Sequence, residues 1–170
     1  MPFQTRVIGG LTMKRLILIL FKVLSLLACL GTGLGKAHAG NYQISGTFDG
    51  CEYGKLYPLM GGGILECREY NDFYEYSPEV RSDGREVITI GDEKVEGYLH
   101  NGHVIITKVA GEFEGCDFNK RYELQNGSVF VCSSYSYSYS YSPKVKIFII
   151  EGRPPIVYIK GKRYKGTLYK

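Results

Sequence analysis

The chain has 170 residues, of which 21 are Lys or Arg and 17 are Asp or Glu, so its formal net charge is +4 at pH 7. Five of the basic residues precede Gly40, and the rest of the chain carries 16 basic and 17 acidic residues, a net charge of −1. This balance does not indicate a nucleic-acid-binding protein, and the length predicts one domain or two small ones.

The N-terminal segment has the pattern of a secretory signal peptide. Met13 is followed by two basic residues, then by an apolar run at 16–30 that only Lys22 interrupts, and Ala37-His38-Ala39 precedes Gly40. A basic start, an apolar core and small residues before the cleavage site are the three parts of such a signal. We predict a signal peptide at 1–39 with the true start at Met13.

Two alternatives for the N-terminus stay open. Leu26-Leu27-Ala28-Cys29 resembles a lipoprotein box, which would make Cys29 the lipidated first residue. The apolar run would otherwise remain as an uncleaved anchor, although Lys22 and the glycines near its end weaken it as a span of ~20 residues. Each alternative places the rest of the chain outside the cytoplasm, so we predict a periplasmic or secreted protein.

Four cysteines follow the predicted leader: Cys51, Cys67, Cys116 and Cys132. An even number of cysteines in an exported chain indicates disulfides, because that compartment is oxidising. None of the spacings is C-x-x-C, which zinc sites and thioredoxin-like redox sites use. We predict a disulfide framework, with no metal and no cofactor.

An internal repeat organises the exported part. Residues 46–80 and 111–145 align without a gap at a shift of 65, and 15 of 35 positions are identical. The shared residues include the cysteines and the pairs Ser77-Pro78 and Ser142-Pro143, and residues 87–99 match 156–168 after a four-residue insertion. We interpret the chain as a tandem duplication with β repeats at 40–105 and 106–170.

Short runs of Val, Ile, Tyr and Phe, separated by Gly, Asn-Gly and Pro, predict strands throughout both repeats. Asn101-Gly102 and Asn126-Gly127 each lie between two such runs and predict tight type I′ hairpins, in which both central residues have positive φ. About five short antiparallel strands per repeat predict an all-β fold of SH3-like or OB-like barrels. Two barrels that share the ribbon at Asn101-Gly102 and one larger pseudo-symmetric sheet both fit this pattern.

Units of about 60 residues bury little apolar surface, and disulfides compensate for this. Proximity in the chain favours Cys51 with Cys67 and Cys116 with Cys132, each worth roughly 3 kcal/mol by loop entropy. Crossed pairings between the repeats would also treat the two copies equally, so they stay open.

The two repeats have opposite charge. Residues 40–105 contain 5 basic and 12 acidic residues, net −7, and residues 106–170 contain 11 basic and 5 acidic residues, net +6. Opposite fields of this size draw the halves together or draw molecules head to tail. The alternative is that the two charged halves are solvated and never meet.

The ionisable residues offer two weak candidates for chemistry. His100 and His103 flank the predicted turn and would face each other across a two-residue hairpin, but two ligands make an incomplete metal site; they are otherwise two polar residues beside a turn.

The other candidate is a duplicated acidic pair, Asp49 with Glu52 and Glu114 with Asp117. Two carboxyls ~5–9 Å apart serve glycoside hydrolysis, whereas the alternative is a charged turn beside a disulfide. No nucleophile elbow, phosphate loop or H-E-x-x-H motif occurs. We predict that the chain is not an enzyme and has no catalytic residue.

All 15 tyrosines follow residue 40. The stretch SYSYSYSYSP at 134–143 has the composition of a low-complexity tract, but it aligns with REYNDFYEYSP and so reads as a strand, with its tyrosines on one face. The seven tyrosines of these segments form the candidate binding face: Tyr70, Tyr74, Tyr76, Tyr135, Tyr137, Tyr139 and Tyr141. Tyrosine suits both sheet packing and contact surfaces, so both interpretations stay open.

The stretch GEFEGCDFNKRYELQNGSVFVCSSYSYSYSYSP at 111–143 resembles a segment that recurs in small, uncharacterised bacterial proteins with an exported N-terminus. The resemblance implies a bacterial envelope setting and no catalytic residue. We expect an exported binding or structural module whose tyrosine faces contact glycan or protein. The alternatives are a small hydrolase that uses the acidic pairs, and an inhibitor of a secreted enzyme.

Overall fold

The computed structural model describes residues 39–170, and every regular element in this range is a β-strand. The predicted signal peptide up to residue 38, including the alternative lipidation site at Cys29, lies outside the described residues. Within residues 39–170 no helix is long and apolar enough to cross a membrane. The all-β prediction is confirmed.

The first half of the described chain contains eight strands, β1 (Gly40–Gln43), β2 (Thr47–Cys51), β3 (Leu56–Pro58), β4 (Ile64–Cys67), β5 (Asn71–Tyr76), β6 (Glu79–Ser82), β7 (Val87–Ile90) and β8 (Glu93–His100). The second half contains nine, β9 (Gly102–Lys108), β10 (Glu112–Phe113), β11 (Arg121–Glu123), β12 (Val129–Cys132), β13 (Ser140–Tyr141), β14 (Lys144–Ile150), β15 (Ile156–Ile159), β16 (Lys162–Tyr164) and β17 (Gly166–Tyr169). The predicted repeat boundary between residues 105 and 106 falls within β9.

Six strands of the first half form one antiparallel sheet in the order β1-β6-β7-β8-β4-β3. The sheet is curled, so that its two outer strands approach each other. A β-bridge between Ile44, just after β1, and Leu59, just after β3, joins them. The two remaining strands, β2 and β5, pair with each other as a separate ribbon. Phe48 on β2 is fully buried and packs beneath this ribbon.

The second half repeats these pairings at equivalent positions. β9 pairs with β14, β14 with β15, β15 with β16, and β11-β12-β17 form the other part of the curled sheet. A bridge between Val109 and Leu124 joins the chain after β9 to the chain after β11, 65 residues beyond the bridge of the first half. The ribbon here is β10 with β13.

In each half a glycine lies where the chain stops pairing with one neighbouring strand and begins to pair with another. β8 pairs with β7 through its first residues and with β4 from Gly97 onward. A Cβ at Gly97 would lie 2.9 Å from the carbonyl oxygen of Glu66, and a Cβ at Gly166 would lie 2.3 Å from that of Val131. Such contacts are closer than van der Waals packing permits, so the crossing requires glycine.

The prediction of a hairpin at Asn101-Gly102 is wrong, because β8 and β9 do not pair with each other. β8 pairs with β7 and β4, whereas β9 pairs with β14, and neither Asn101 nor Gly102 has positive φ. Asn101-Gly102 instead connects β8 of the first sheet to β9 of the second sheet, so the two halves do not share a two-stranded ribbon. The partner strand of β9 lies further along the chain, and their register places Val104 opposite Phe148 and Ile105 opposite Ile147.

The hairpin predicted at Asn126-Gly127 is confirmed, with a different turn. β11 and β12 are paired, and Gly127 has positive φ of 82°, but Asn126 does not. The N–H of Gly127 donates to the carbonyl of Leu124, and the Ser128 hydroxyl donates to Asn126 Oδ1 at 2.7 Å. The loop is therefore longer than the two-residue type I′ turn that we predicted.

Each half has its own apolar core. The core of the first half includes Phe48 and Leu65, and the core of the second includes Phe113 and Phe130. A third, smaller cluster joins the halves: Leu56 and Ile64 of the first half and Phe148 and Ile150 of the second, with Val104, Ile156 and Tyr158 at its margin. Alternate residues of β14 face its own core and this junction, so one strand contributes to both.

Both disulfides are local. Cys51 is bonded to Cys67 and Cys116 to Cys132, each across 16 residues, and all four side chains are buried. The first disulfide fastens the ribbon strand β2 to β4 of the curled sheet. The local pairing favoured by the sequence is confirmed, and crossed pairing is excluded.

Candidate functional site: two exposed tyrosine rows

The first tyrosine row lies on the ribbon of the first half. β5 pairs with β2, with Tyr76 opposite Thr47 and Tyr74 opposite Asp49. Tyr70 and Tyr76 are each 76% exposed and Tyr74 is 72% exposed. Side chains at 70, 74 and 76 share one side of the extended segment, because successive residues of a strand point to opposite faces.

The second row lies on the equivalent segment of the second half. Ser136 and Cys116 exchange backbone hydrogen bonds of 2.7 and 2.8 Å, and β13 pairs with β10 four residues further on. This row comprises Tyr135, Tyr137, Tyr139 and Tyr141, which are between 59% and 82% exposed. The alternative that the tyrosines are packed within the sheet is wrong.

Except for the exposed Glu75, the side chains that alternate with the positions of each row face the protein. In the first half Phe73 is half-buried and its ring lies 4.6 Å from that of Phe48, centroid to centroid. In the second half the alternating serines, from Ser134 to Ser142, are half-buried beside exposed tyrosines. The serine side of the segment SYSYSYSYSP therefore faces the protein. Its small side chains allow the segment to lie close to the residues beneath it.

A glycine lets each tyrosine segment approach its partner strand closely. Gly50 and Gly115 have φ of 81° and 84°. A Cβ at Gly50 would lie 2.4 Å from the carbonyl oxygen of Asn71, and a Cβ at Gly115 would lie 2.1 Å from that of Ser136. Both the backbone conformation and the spacing exclude larger residues. In the first half this position is a β-bulge between Asp49 and Cys51.

A buried tyrosine hydroxyl fixes the glycine in each half. The hydroxyl of Tyr57 contacts the carbonyl oxygen of Gly50, and that of Tyr122 contacts the carbonyl oxygen of Gly115. The Tyr57 hydroxyl also lies 2.7 Å from Asp49 Oδ1. Burial, and then the hydrogen bond to Asp49, raise the pKa of Tyr57 well above its usual value. The phenol therefore stays protonated and remains a donor.

The two Ser-Pro pairs end the tyrosine segments. Ser77 and Ser142 have positive φ of 51° and 45°. The Ser77 hydroxyl donates to the carbonyl of Ile44 at 2.7 Å, and the Ser142 hydroxyl donates to that of Val109 at 3.0 Å. These bonds tie the end of each segment to the outer strand of its curled sheet. The sequence showed that both repeats contain a Ser-Pro pair, but it did not show that the serine hydroxyl anchors the segment.

The charges around the two rows differ. Asp72 lies between Tyr70 and Tyr74 on the exposed side of the first row. The second row contains no charged residue, and Lys162 Nζ donates to the hydroxyl of Ser136 beneath it at 3.1 Å. Glu112 lies beside the second row and accepts a bond of 3.3 Å from the hydroxyl of Tyr139. The charge of this carboxylate raises the pKa of that phenol.

The duplicated acidic residues are exposed and serve local ion pairs. Asp49 lies 3.1 Å from Lys55 Nζ, and Glu114 lies 2.8 Å from Lys120 Nζ. Partial burial alone would raise the pKa of Asp49, but its bonds from Tyr57 and Lys55 hold that pKa below the usual value. The hydrogen bond from Lys120 likewise lowers the pKa of Glu114.

Two clefts among residues 39–170 have volumes of about 360 and 350 Å³, and neither is lined by Asp49, Glu52, Glu114 or Asp117. Tyr42, His100 and the glycines at 61–63 line the first cleft, and Arg121 and Tyr169 lie in the second. The arrangement of the carboxylates thus matches the charged-turn interpretation more closely than a pair that brackets a substrate.

The two histidines do not face each other. His100 Nε2 lies 2.7 Å from Glu66 Oε2, and Arg153 of the second half donates to the same oxygen at 2.8 Å. His103 is exposed on β9 opposite Ile149. The described part of the chain holds no group of three or more potential metal ligands. The two histidines therefore do not form the candidate pair of metal ligands, because that pair required a hairpin that does not form.

One aromatic group near the first row was not predicted. The guanidinium of Arg68 lies 4.5 Å from the ring centroid of Tyr53 and 5.0 Å from that of Tyr98. Tyr53 is largely exposed, so this stack adds exposed aromatic surface outside the two rows. The equivalent positions in the second half are Phe118, Ser133 and Thr167, which explains why the alignment did not reveal it.

Comparison of the chain with protein-family models, with curated proteins and with solved structures found no significant match.

Proposed function

We propose that this protein is an exported binding or structural module of a bacterial envelope, and that its two tyrosine rows are the contact surface for an envelope glycan or protein. One observation carries the proposal: seven tyrosines, each more than half exposed, stand in two rows, one on β5 and the residue before it and one on the segment 135–141 that ends in β13. Aromatic side chains with few rotatable bonds contribute large contact area at low entropic cost. Exposed apolar surface of this extent is typical of interaction sites.

We also propose that the chain arose by tandem duplication of a small SH3-like or OB-like unit. The support is that glycine, buried tyrosine, disulfide and Ser-Pro contacts recur at a spacing of 65 residues. Recurrence of the contacts that hold the tyrosine strand, together with three of its tyrosines, argues that the strand itself is the functional part.

The export part of the proposal is supported by the disulfides, since such bonds persist in oxidising compartments. Mass spectrometry of the processed protein tests it. We expect an N-terminus at Gly40, or at a lipidated Cys29; a mature chain that begins upstream of Cys29 would contradict both cleavage predictions.

The binding proposal is tested by capture from an envelope extract. The processed protein is immobilised, and recovered proteins and glycans are compared with those of a variant in which Tyr135, Tyr137, Tyr139 and Tyr141 are replaced by Ser. A variant with Tyr53 and Tyr169 replaced by Ser controls for the loss of exposed tyrosine elsewhere. We expect capture by the wild type and the control but not by the row variant. Recovery of no partner and no glycan, before and after thiol reduction, would leave only a structural role.

A further inference from the structure

Both tyrosine segments have a strand edge without a backbone partner in the part of the chain that the structure describes. β5 is paired only with β2, and β13 only with β10. Beyond these strand pairs, the backbone groups of residues 137–141 make no further backbone hydrogen bond among residues 39–170. Unpaired strand edges are sites at which a second chain adds a strand. Each molecule therefore presents two such edges.

The two edges belong to parts of the chain with opposite net charge, −7 for residues 40–105 and +6 for residues 106–170. Ten of the twelve carboxylate residues at 40–105 are exposed, and nine of the eleven basic residues at 106–170 are exposed. Asp72 lies on the exposed side of β5, with Glu69 and Glu75 beside it in the chain. At the second row, Lys162 Nζ donates to the hydroxyl of Ser136, and Glu112 accepts a bond from the hydroxyl of Tyr139.

These charges are not neutralised within one molecule. Among the described residues a single ion pair between acidic and basic side chains joins the halves, that of Glu66 and Arg153. The other such pairs are within one half. The acidic and basic fields thus remain directed at solvent, where they favour a partner of the opposite sign.

We propose that the partner of the tyrosine rows is a second copy of this chain, bound head to tail: the free edge of β5 in one copy pairs with the free edge of residues 134–141 in the next. This inference rests on the proposed role of the rows as contact surfaces. Pairing two β5 edges would bring like carboxylates together, whereas the head-to-tail arrangement brings acidic and basic surfaces together. Because the contact is heterologous, it continues from copy to copy as an open chain.

The equivalent positions Asp72 and Tyr137 offer a reciprocal test. Asp72→Lys places a cation on the acidic edge, and Tyr137→Glu places a carboxylate on the tyrosine edge of the second half. Each variant has one damaged and one intact edge. We expect neither variant to self-associate but an equimolar mixture to associate, because the intact edges of the two variants complement each other.

The measurement is sedimentation velocity of the processed protein over a range of concentrations at low salt and at 0.5 M NaCl, where exposed charges are screened beyond about 4 Å. The wild type is expected to form species larger than dimers at low salt and to dissociate at high salt. Asp72→Lys should raise the dissociation constant by about tenfold or more, the scale of a like-charge contact at an interface. Asp83→Lys makes the same change of charge on the turn between β6 and β7 and should leave association unchanged.

A monomeric wild type at all concentrations, or an equal effect of Asp72→Lys and Asp83→Lys, overturns head-to-tail pairing. Wild-type dimers that do not extend also overturn it, because they indicate a symmetric contact. Capture of an envelope partner by a monomeric protein would overturn this inference while supporting the proposed function. The two proposals therefore fail separately.

Discussion

Replacing Tyr122 with Phe removes one hydroxyl and leaves the ring in place. That hydroxyl contacts the carbonyl oxygen of Gly115 and accepts a bond of 3.3 Å from the N–H of Glu114. Tyr122 is 6% exposed, so water does not readily replace the lost donor. An unsatisfied buried acceptor costs about 1–3 kcal/mol. We expect the free energy of unfolding to fall by that amount.

Tyr57→Phe tests the same contact in the first half, with one addition. The Tyr57 hydroxyl also contacts Asp49 Oδ1 at 2.7 Å and helps to lower the pKa of that carboxyl. A carboxyl with a lowered folded-state pKa stabilises the fold above its unfolded pKa and loses this contribution as the pH falls through the folded value. We therefore expect Tyr57→Phe to cost more than Tyr122→Phe at pH 7. The difference should shrink below about pH 4, where the pH passes the ordinary pKa of an aspartate and Asp49 becomes protonated.

Equilibrium unfolding in guanidinium chloride, followed by far-ultraviolet circular dichroism with the disulfides intact, measures these effects. Tyr74→Phe is the matched control, because Tyr74 is 72% exposed and no side-chain hydrogen bond of its hydroxyl occurs among residues 39–170. If both buried variants stay within about 0.5 kcal/mol of the wild type, the usual range for surface substitutions, the proposed locking role of the two hydroxyls is refuted.

Three further changes test the fold. Replacing both Cys116 and Cys132 with Ser should lower the free energy of unfolding by about 3 kcal/mol, as measured by denaturant unfolding, because a loop closed across 16 residues is released. Gly166→Ala should cost about 1–3 kcal/mol in the same assay, since its Cβ would lie 2.3 Å from a backbone carbonyl oxygen; no loss would show that the crossing relaxes easily. Arg153→Ala should cost about 1–2 kcal/mol at pH 7. Burial alone would raise the pKa of Glu66, but Arg153 and His100 lower it overall, so thermal unfolding at pH 7 and pH 3 should show the difference from wild type shrinking in acid.

Period-two alternation predicted that the SYSYSYSYSP stretch is a strand with its tyrosines on one face, and the structure has a strand only at Ser140–Tyr141 and an isolated bridge at Ser136, with the tyrosines exposed and the serines half-buried. The alternation did not indicate which face is buried. Tyrosine is the larger and more apolar residue, so composition alone favoured packing of the tyrosines. In the structure the backbone of residues 136–138 lies directly against Gly115, and the serines rather than the tyrosines are half-buried on that side.

The Asn101-Gly102 dipeptide shows where local sequence misleads. It has the composition of a tight hairpin and lies between two strand-like runs, yet its flanking strands belong to different sheets. Local turn propensity is outweighed by the pairing of a seven-residue strand such as β9, whose full length pairs with β14. The metal pair at His100 and His103 failed for the same reason, because it depended on that turn.

The sequence alone indicated the high strand content, the internal repeat and the local disulfides. The disulfides were indicated by the equal spacing within the two cysteine pairs. These follow from periodicity and chain proximity, which are properties of neighbouring residues. The folded molecule was needed to show that the halves meet through Leu56, Ile64, Phe148 and Ile150, that Arg153 reaches Glu66, and that the tyrosines face solvent. Each of these features depends on which surfaces are still exposed after strands distant in sequence have paired. No local pattern in the sequence specifies those surfaces.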